Sequence, residues 1–347
     1  MHARSSIPHA IAALCLACAA PAMQAAKIID DSIMRTEGPR KFHLAVPARA
    51  VAGRLPLVIM LHGHGMSGAS MMHPTAGWIS FRDPALAWLD IVDREGILYL
   101  APDGWKGSDG KRGWNDCRAD APTNPNTDDI GFIRALIDKA VAEHNADPAR
   151  VYVIGISNGG SMAWRAAIEL APRIAAVSVL SALMPAKSLC QAPSAPMSVL
   201  VAHGTADPIA PYDGGKIGFW LLRGRGSGIG IDESVRIWRD LDRLPPTPEV
   251  TTVPHRDPED MTTLTSYLWG EAPAGLQVKL YKVIDGGHNQ PSIAYRLPWL
   301  LTALVGKQNG DVEFAEEAWA FFKDKRIGIP LAKTPAASPP DPSDKQP

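Results

Sequence analysis

The chain has 347 residues, 46% hydrophobic and 20% charged, which is ordinary globular composition and length enough for one large domain or two small ones. Its 35 Lys and Arg stand against 36 Asp and Glu, and the resulting net charge of −1 gives no reason to expect nucleic acid or an anionic membrane surface as a partner. No segment repeats at a fixed period, which argues against a solenoid or a propeller.

The first 26 residues read as an export signal: Arg4 supplies a positive start, an apolar stretch runs from Ile11 to Ala20, and small residues follow through Ala26. The apolar stretch is too short to span a bilayer, and no later segment is apolar enough to do so. Residues 27–330 are expected to form one catalytic domain and 331–347, rich in Pro, Ser and Lys, a disordered tail. Cys15 and Cys18 leave with the signal, and the residues before Cys18 fit a lipoprotein site poorly. Cys117 and Cys190 remain, and an even pair in an exported chain reads as a disulfide, with two free thiols as the alternative. The expected location is secreted or periplasmic.

Lys27 to Arg40 reads as a lead-in and Phe42 to Val46 as an early edge strand. Pro56 to Leu61 is a continuous apolar run, as in a strand buried on both faces, and it ends in His62-Gly63-His64-Gly65. A helix over Ala85–Arg94 and a strand over Gly96–Leu100 follow. A Gly-, Asn-, Asp- and Pro-rich loop then carries Trp114-Asn115-Asp116-Cys117. Thr127 or Asp128 can cap a helix whose core stripe includes Ile130, Ile133, Leu136, Ile137, Ala140 and Val141. Asp147-Pro148 predicts the turn into the strand Val151–Ile154. That strand leads into Gly155-Ile156-Ser157-Asn158-Gly159 and a helix from Gly160 to Leu170.

Strands are expected at Ala175–Leu180, Met197–Ala202 and Gln277–Ile284, and helices at Glu233–Leu241 and Val312–Phe322. Strands alternating with helices predict a doubly wound, mostly parallel sheet of the α/β class. Gly214 to Gly275 is expected to be a loop and helix excursion over the active-site edge. Within it, Gly224-Arg225-Gly226-Ser227-Gly228 fails the phosphate-loop pattern and reads as a flexible loop.

Strand, sharp turn and helix is the setting in which G-x-S-x-G presents a nucleophile, here Ser157. In the α/β-hydrolase fold an acid and then a histidine follow the serine in the chain. Asp207 sits just past the Met197–Ala202 strand, and its alternative role is a turn Asp before Pro208. His255 and His288 are the remaining downstream histidines. His288, after the last strand in a Gly-Gly turn, is the better base. Backbone N–H groups of Asn158 and His64, with Gly65 next, are expected to form the oxyanion hole. His62 and His64 also form an H-x-H pair, but the further ligands of a metallohydrolase do not follow, so neither a metal nor a cofactor is expected.

These motifs are Leu61-His62-Gly63-His64-Gly65, Pro102-Asp103-Gly104, Trp114-Asn115-Asp116, Asp128-Asp129-Ile130-Gly131-Phe132, Gly155 to Gly160, His203 to Pro208 and Gly286-Gly287-His288. Together they resemble the secreted, LpqC-like esterase family that includes polyhydroxybutyrate depolymerases and feruloyl or acetylxylan esterases, over most of the chain from about Phe42 to His288. The resemblance implies Ser157 as nucleophile, Asp207 as orienting acid and His288 as base. It implies an ester substrate, polymeric or from the plant wall. The chain departs from the family at His64, where many relatives have Cys, and at Asn289-Gln290-Pro291 after the histidine. Trp114 is a candidate for lining the substrate site. The alternatives are a serine peptidase or other acyl hydrolase on the same fold, and a catalytically silent binding protein.

Overall fold

The computed structural model describes residues 25–74, 82–219 and 222–328. The expected export signal, all but its last two residues, and the expected tail lie outside the described residues. In chain order the strands are β1 (Lys27–Arg35), β2 (Gly38–Val46), β3 (Leu55–Leu61), β4 (Leu98–Pro102), β5 (Trp105–Lys106), β6 (Arg112–Gly113), β7 (Ala146–Ile156), β8 (Ala176–Leu180), β9 (Ser198–Gly204), β10 (Gly214–Lys216), β11 (Ser227–Ile229), β12 (Glu249–Thr252), β13 (Thr263–Trp269) and β14 (Val278–Ile284). The helices are α1 (Ala87–Glu95), α2 (Asp129–Glu143), α3 (Asn158–Glu169), α4 (Ile231–Leu241), α5 (Trp299–Val305) and α6 (Phe314–Phe322).

A ten-stranded sheet runs in the order β1-β2-β4-β3-β7-β8-β9-β14-β13-β12. Its centre, β4 to β14, is parallel, and both edges are antiparallel. The central strands are apolar throughout because helices cover both faces. Alternate residues go to opposite sides. Leu57, Ile59, Leu61, Val151 and Val153 pack toward α2, α3 and α4. Val58, Met60, Tyr152 and Ile154 pack toward α1 and α6. Trp164 stacks on Trp238 between α3 and α4 with ring centroids 6.0 Å apart, and Tyr152 stacks on Phe322 at 4.9 Å. Asp128 is the residue that caps α2, its Oδ1 accepting from Gly131 N at 2.8 Å.

Four expectations change. Lys27 to Arg40 is no lead-in: β1 pairs antiparallel with β2 from Lys27↔Val46 to Arg35↔Gly38. Its polar, exposed residues hide an edge strand from any alternation test. The chain reverses at Asn145 (φ 56°) rather than at Asp147-Pro148, which lie inside β7 where its register against β3 shifts. The Gly214–Gly275 stretch divides. Its first part forms the β10–β11 ribbon, while β12 and β13 extend the main sheet beyond β14. Finally, α5 follows β14, where no helix was expected.

Cys117 and Cys190 are joined in a disulfide with Cα atoms 5.5 Å apart and a sequence separation of 73. A cross-link closing so long a loop restricts the unfolded chain strongly. Replacing both cysteines with Ser is expected to lower the unfolding free energy by roughly 2–4 kcal/mol, measured by urea denaturation.

Asp242, at the end of α4, is fully buried. Its Oδ1 accepts from Met197 N at 3.0 Å, and its Oδ2 has no partner among the described residues. Burial pushes its carboxyl from 3.8 up to about 8, against the lowering effect of the Met197 bond. The folded state thus holds this proton after the unfolded state has released it, so stability falls as pH rises from about 4 to about 8. Asp242→Asn is expected to raise the melting temperature much more at pH 8 than at pH 5. An equal shift at both values would mean that the carboxyl is ionised in the folded protein.

Candidate active site

Four loops meet at the carboxyl edge of the parallel strands, where open α/β sheets carry their sites. They follow β3, β7, β9 and β14. The loop after β7 is the sharpest. Ser157 stands between β7 and α3 at φ 56°, ψ −124°, a conformation costly for a side-chain-bearing residue and persistent only where its surroundings enforce it. The enforcement is backbone against backbone. A Cβ on Gly155 would lie 2.2 Å from the Gly159 carbonyl oxygen, and one on Gly159 would lie 2.1 Å from that of Leu61.

Asp207 and His288 reach this serine from β9 and β14, which are neighbours in the sheet. His288 Nε2 lies 2.8 Å from Ser157 Oγ, and His288 Nδ1 lies 2.8 Å from Asp207 Oδ2. With Nδ1–H donating to Asp207, Nε2 is free to accept the serine proton. The other carboxylate oxygen, Oδ1, accepts from Ile209 N and Ala210 N, both at 2.8 Å. Burial alone would raise the Asp207 carboxyl. The adjacent His288, His203 and the Ala210 N–H hold it below its ordinary value. The two loops are also tied to each other, by Thr205 N–H on Val283 O and Ala206 N–H on Gly286 O, each at 2.9 Å.

His64 and Asn158 both line the cavity above Ser157. Neither backbone N–H has a protein acceptor among the described residues. The Gly65 N–H, the other candidate, is committed to Arg112 O at 2.8 Å. Burial is the chief reason that the His64 ring is lowered to about 4, with Arg225 adding to it, so the ring is neutral and its contact of 2.9 Å with Asp109 is a hydrogen bond. His62 is a brace: its Nδ1 donates to Gly63 O at 2.7 Å and its Nε2 accepts from Gly104 N at 2.9 Å. With both nitrogens engaged, the H-x-H pair does not converge on one point. Burial likewise lowers His62 to about 4.

Trp114 does not line the cavity above Ser157. It is fully buried, outside the cavity lining, with its indole N–H on His62 O at 2.9 Å and its backbone N–H on Asn158 Oδ1 at 2.7 Å. The need to satisfy buried polar groups under the β3 loop draws the ring inward. His255 is also elsewhere, paired with Asp311 at 3.1 Å. Residues that were not anticipated complete the site. Asp116 accepts from Asn158 Nδ2 and pairs with Arg118, both at 2.5 Å, which ties the residue after the serine to the long loop. The stretch around Arg225, expected to be flexible, is packed: Gly224 O accepts from Thr123 Oγ1 at 2.7 Å and Ser227 Oγ donates to Asp120 at 2.6 Å. Glycines at φ 71° and 76° on either side of the arginine were the available signal. From α5, Leu301 and Val305 supply apolar wall to a cavity of about 250 Å³.

Comparison with known proteins agrees with this architecture. Residues 41–216 match the family described as esterase PHB depolymerase. NocK of Nocardia uniformis subsp. tsuyamanensis, an esterase by name, is 33% identical over 178 residues, 50% of this chain and 46% of that protein. The bifunctional acetylxylan esterase/xylanase XynS20E of Neocallimastix patriciarum is 23% identical over 274 residues, 79% of this chain and 34% of that protein. The chain thus spans less than half the length of either relative. Among solved structures, the acetyl xylan esterase from Aspergillus awamori aligns with a TM-score of 0.51 at 13% identity, over 77% of this chain and 95% of that one, which identifies the α/β-hydrolase fold. With just over half of its residues inside the family match, the chain belongs to the PHB depolymerase family of esterases.

Proposed function

We propose that this protein is an exported serine carboxylic-ester hydrolase acting on a polyester or a plant-wall ester, with residues 27–330 as one catalytic domain. The observation that carries the reading is the unbroken chain Asp207–His288–Ser157, with both links at 2.8 Å, opening into a mostly apolar cavity. Export is supported by the signal-like first 26 residues, by the disulfide, and by β1 beginning at Lys27, directly after that segment. The esterase names among the relatives support the substrate class.

The mechanism follows from the geometry. His288 Nε2 removes the proton as Ser157 Oγ attacks the ester carbonyl. Asp207, anchored by two backbone N–H groups, holds the imidazole in the required tautomer and stabilises its cationic form. The N–H groups of His64 and Asn158 receive the oxyanion of the tetrahedral intermediate. His288 then protonates the leaving alcohol; water, giving its proton to His288, next attacks the acyl carbonyl, and His288 returns that proton to Ser157 Oγ as the acid departs.

Ser157→Ala is expected to lower kcat for p-nitrophenyl acetate by roughly 10⁴-fold or more with the circular dichroism spectrum unchanged. Substantial residual turnover would remove Ser157 as the nucleophile. His288→Ala is expected to be about as damaging and His255→Ala to lower kcat less than about threefold. The opposite ranking in the same assay would assign the base to His255.

A further inference from the structure

The cavity above Ser157 contains a cation that forms no ion pair among the described residues. Arg225 is 5% exposed and lines the cavity, on the segment between β10 and β11. Its Nη1 donates to Thr123 Oγ1 at 2.9 Å. Its Nη2 is buried and has no hydrogen-bond partner among the described residues. The second arginine of the wall, Arg118, is fully engaged: Asp116 takes its Nε and Nη2, and the Arg225 carbonyl takes its Nη1 at 2.6 Å. The two carboxylates whose fields reach Arg225 serve other groups, Asp116 on Arg118 and Asp109 on His64.

A buried guanidinium with an unpaired donor is costly in the free protein, because it has left water without gaining a partner. Burial, with Arg118 adding repulsion, lowers Arg225 to about 10, so it still carries its charge at neutral pH. The rest of the wall is mostly apolar, with Met66, Leu183, Ile217, Leu222 and Leu301, and its one carboxylate, Asp83, accepts from Ala85 N at 2.9 Å and is not among the charges that act on Arg225. The unmet requirement is for an anion delivered by the ligand. A carboxylate suits the planar donor face of a guanidinium, and the apolar surroundings strengthen the pair by excluding water.

We propose that Arg225 is a specificity-determining residue that binds a free carboxylate on the ester substrate. The preferred substrates are then esters in which one half also bears an acid group, such as a short hydroxy-acid oligomer cleaved near its carboxyl end. This rests on the esterase reading above. The charge makes a selective filter, since an ester of equal size without the carboxylate leaves Nη2 unpaired.

The test compares the linear dimer of 3-hydroxybutyrate as free acid and as methyl ester, following cleavage of the interior ester by chromatography. Arg225→Met, which keeps length and removes charge, is expected to lower kcat/KM for the free acid at least tenfold more than for the methyl ester, chiefly through KM. Arg225→Lys is expected to restore part of the preference. Equal losses on both substrates, or a wild-type enzyme that does not distinguish them, would overturn the proposal. Calorimetric binding of the two dimers to Ser157→Ala, which retains Arg225, tests the subsite without turnover and without relying on the folding of Arg225→Met. The free acid is expected to bind at least tenfold more tightly, and equal affinity would also overturn the proposal. A wild-type protein that binds the free acid selectively yet hydrolyses neither dimer nor p-nitrophenyl acetate would refute the esterase reading and leave the anion subsite standing.

Discussion

Backbone-to-backbone contact at the end of β7 is the constraint on which the rest of the site depends. Helix α3 approaches the ends of β3 and β7 so closely that neither Gly155 nor Gly159 has room for a Cβ: the Gly159 carbonyl fills the space at Gly155, and the carbonyls of Leu61 and His62 fill it at Gly159. Two things follow. Ser157 is forced into the strained conformation that stands its hydroxyl above the sheet, and α3 begins at once, leaving the Asn158 N–H with no acceptor of its own. The strain and the open donor are thus products of the same packing.

Around this contact lies a buried polar network that leaves little freedom. Trp114 links His62 to Asn158, Asn158 links to Asp116, and Asp116 links to Arg118. Farther below, Arg40 pairs with Asp129 at 2.8 Å with both side chains fully buried, and Asp129 also accepts from Asn115 N. Burial raises the Asp129 carboxyl, and Arg40 works in the opposite direction. Such charges contribute little net stability, because their desolvation offsets their attraction. Their effect is positional: each fixes where the loop after β4 can lie against the elbow, and hence where the donors of the β3 loop point.

Much of this was legible in the sequence because it depends on local chemistry. The apolar run at Pro56–Leu61 marked a doubly covered strand, and the glycines around Ser157 marked the elbow. Asp207 and His288 were visible as residues immediately beyond strands, a placement that topology alone makes meaningful. What was not legible depends on distant contact. Trp114 reads equally well as a substrate-facing ring or a packing ring, and only the His62 carbonyl and the Asn158 amide decide between them. The edge strand β1 carries Asp30, Asp31 and Ser32, so composition concealed what its pairing with β2 reveals. Arg225 sits in a glycine-rich stretch whose local character is flexible, while its burial comes from Thr123 and Asp120, about a hundred positions earlier in the chain.

The site's parts also differ in how they are held. Ser157, Asp207 and His288 hang directly from paired central strands, and hydrogen bonds between the Asp207 and His288 loops bind those two into one unit. Part of the cavity wall comes instead from the segment between β10 and β11 (Ile217, Leu222, Arg225) and from α5 (Leu301, Val305), which lie outside the main sheet. The aligned side chains and this part of the wall are therefore held by different elements. Substitutions in that part of the wall can reshape the cavity while the strand register that aligns Asp207, His288 and Ser157 stays untouched.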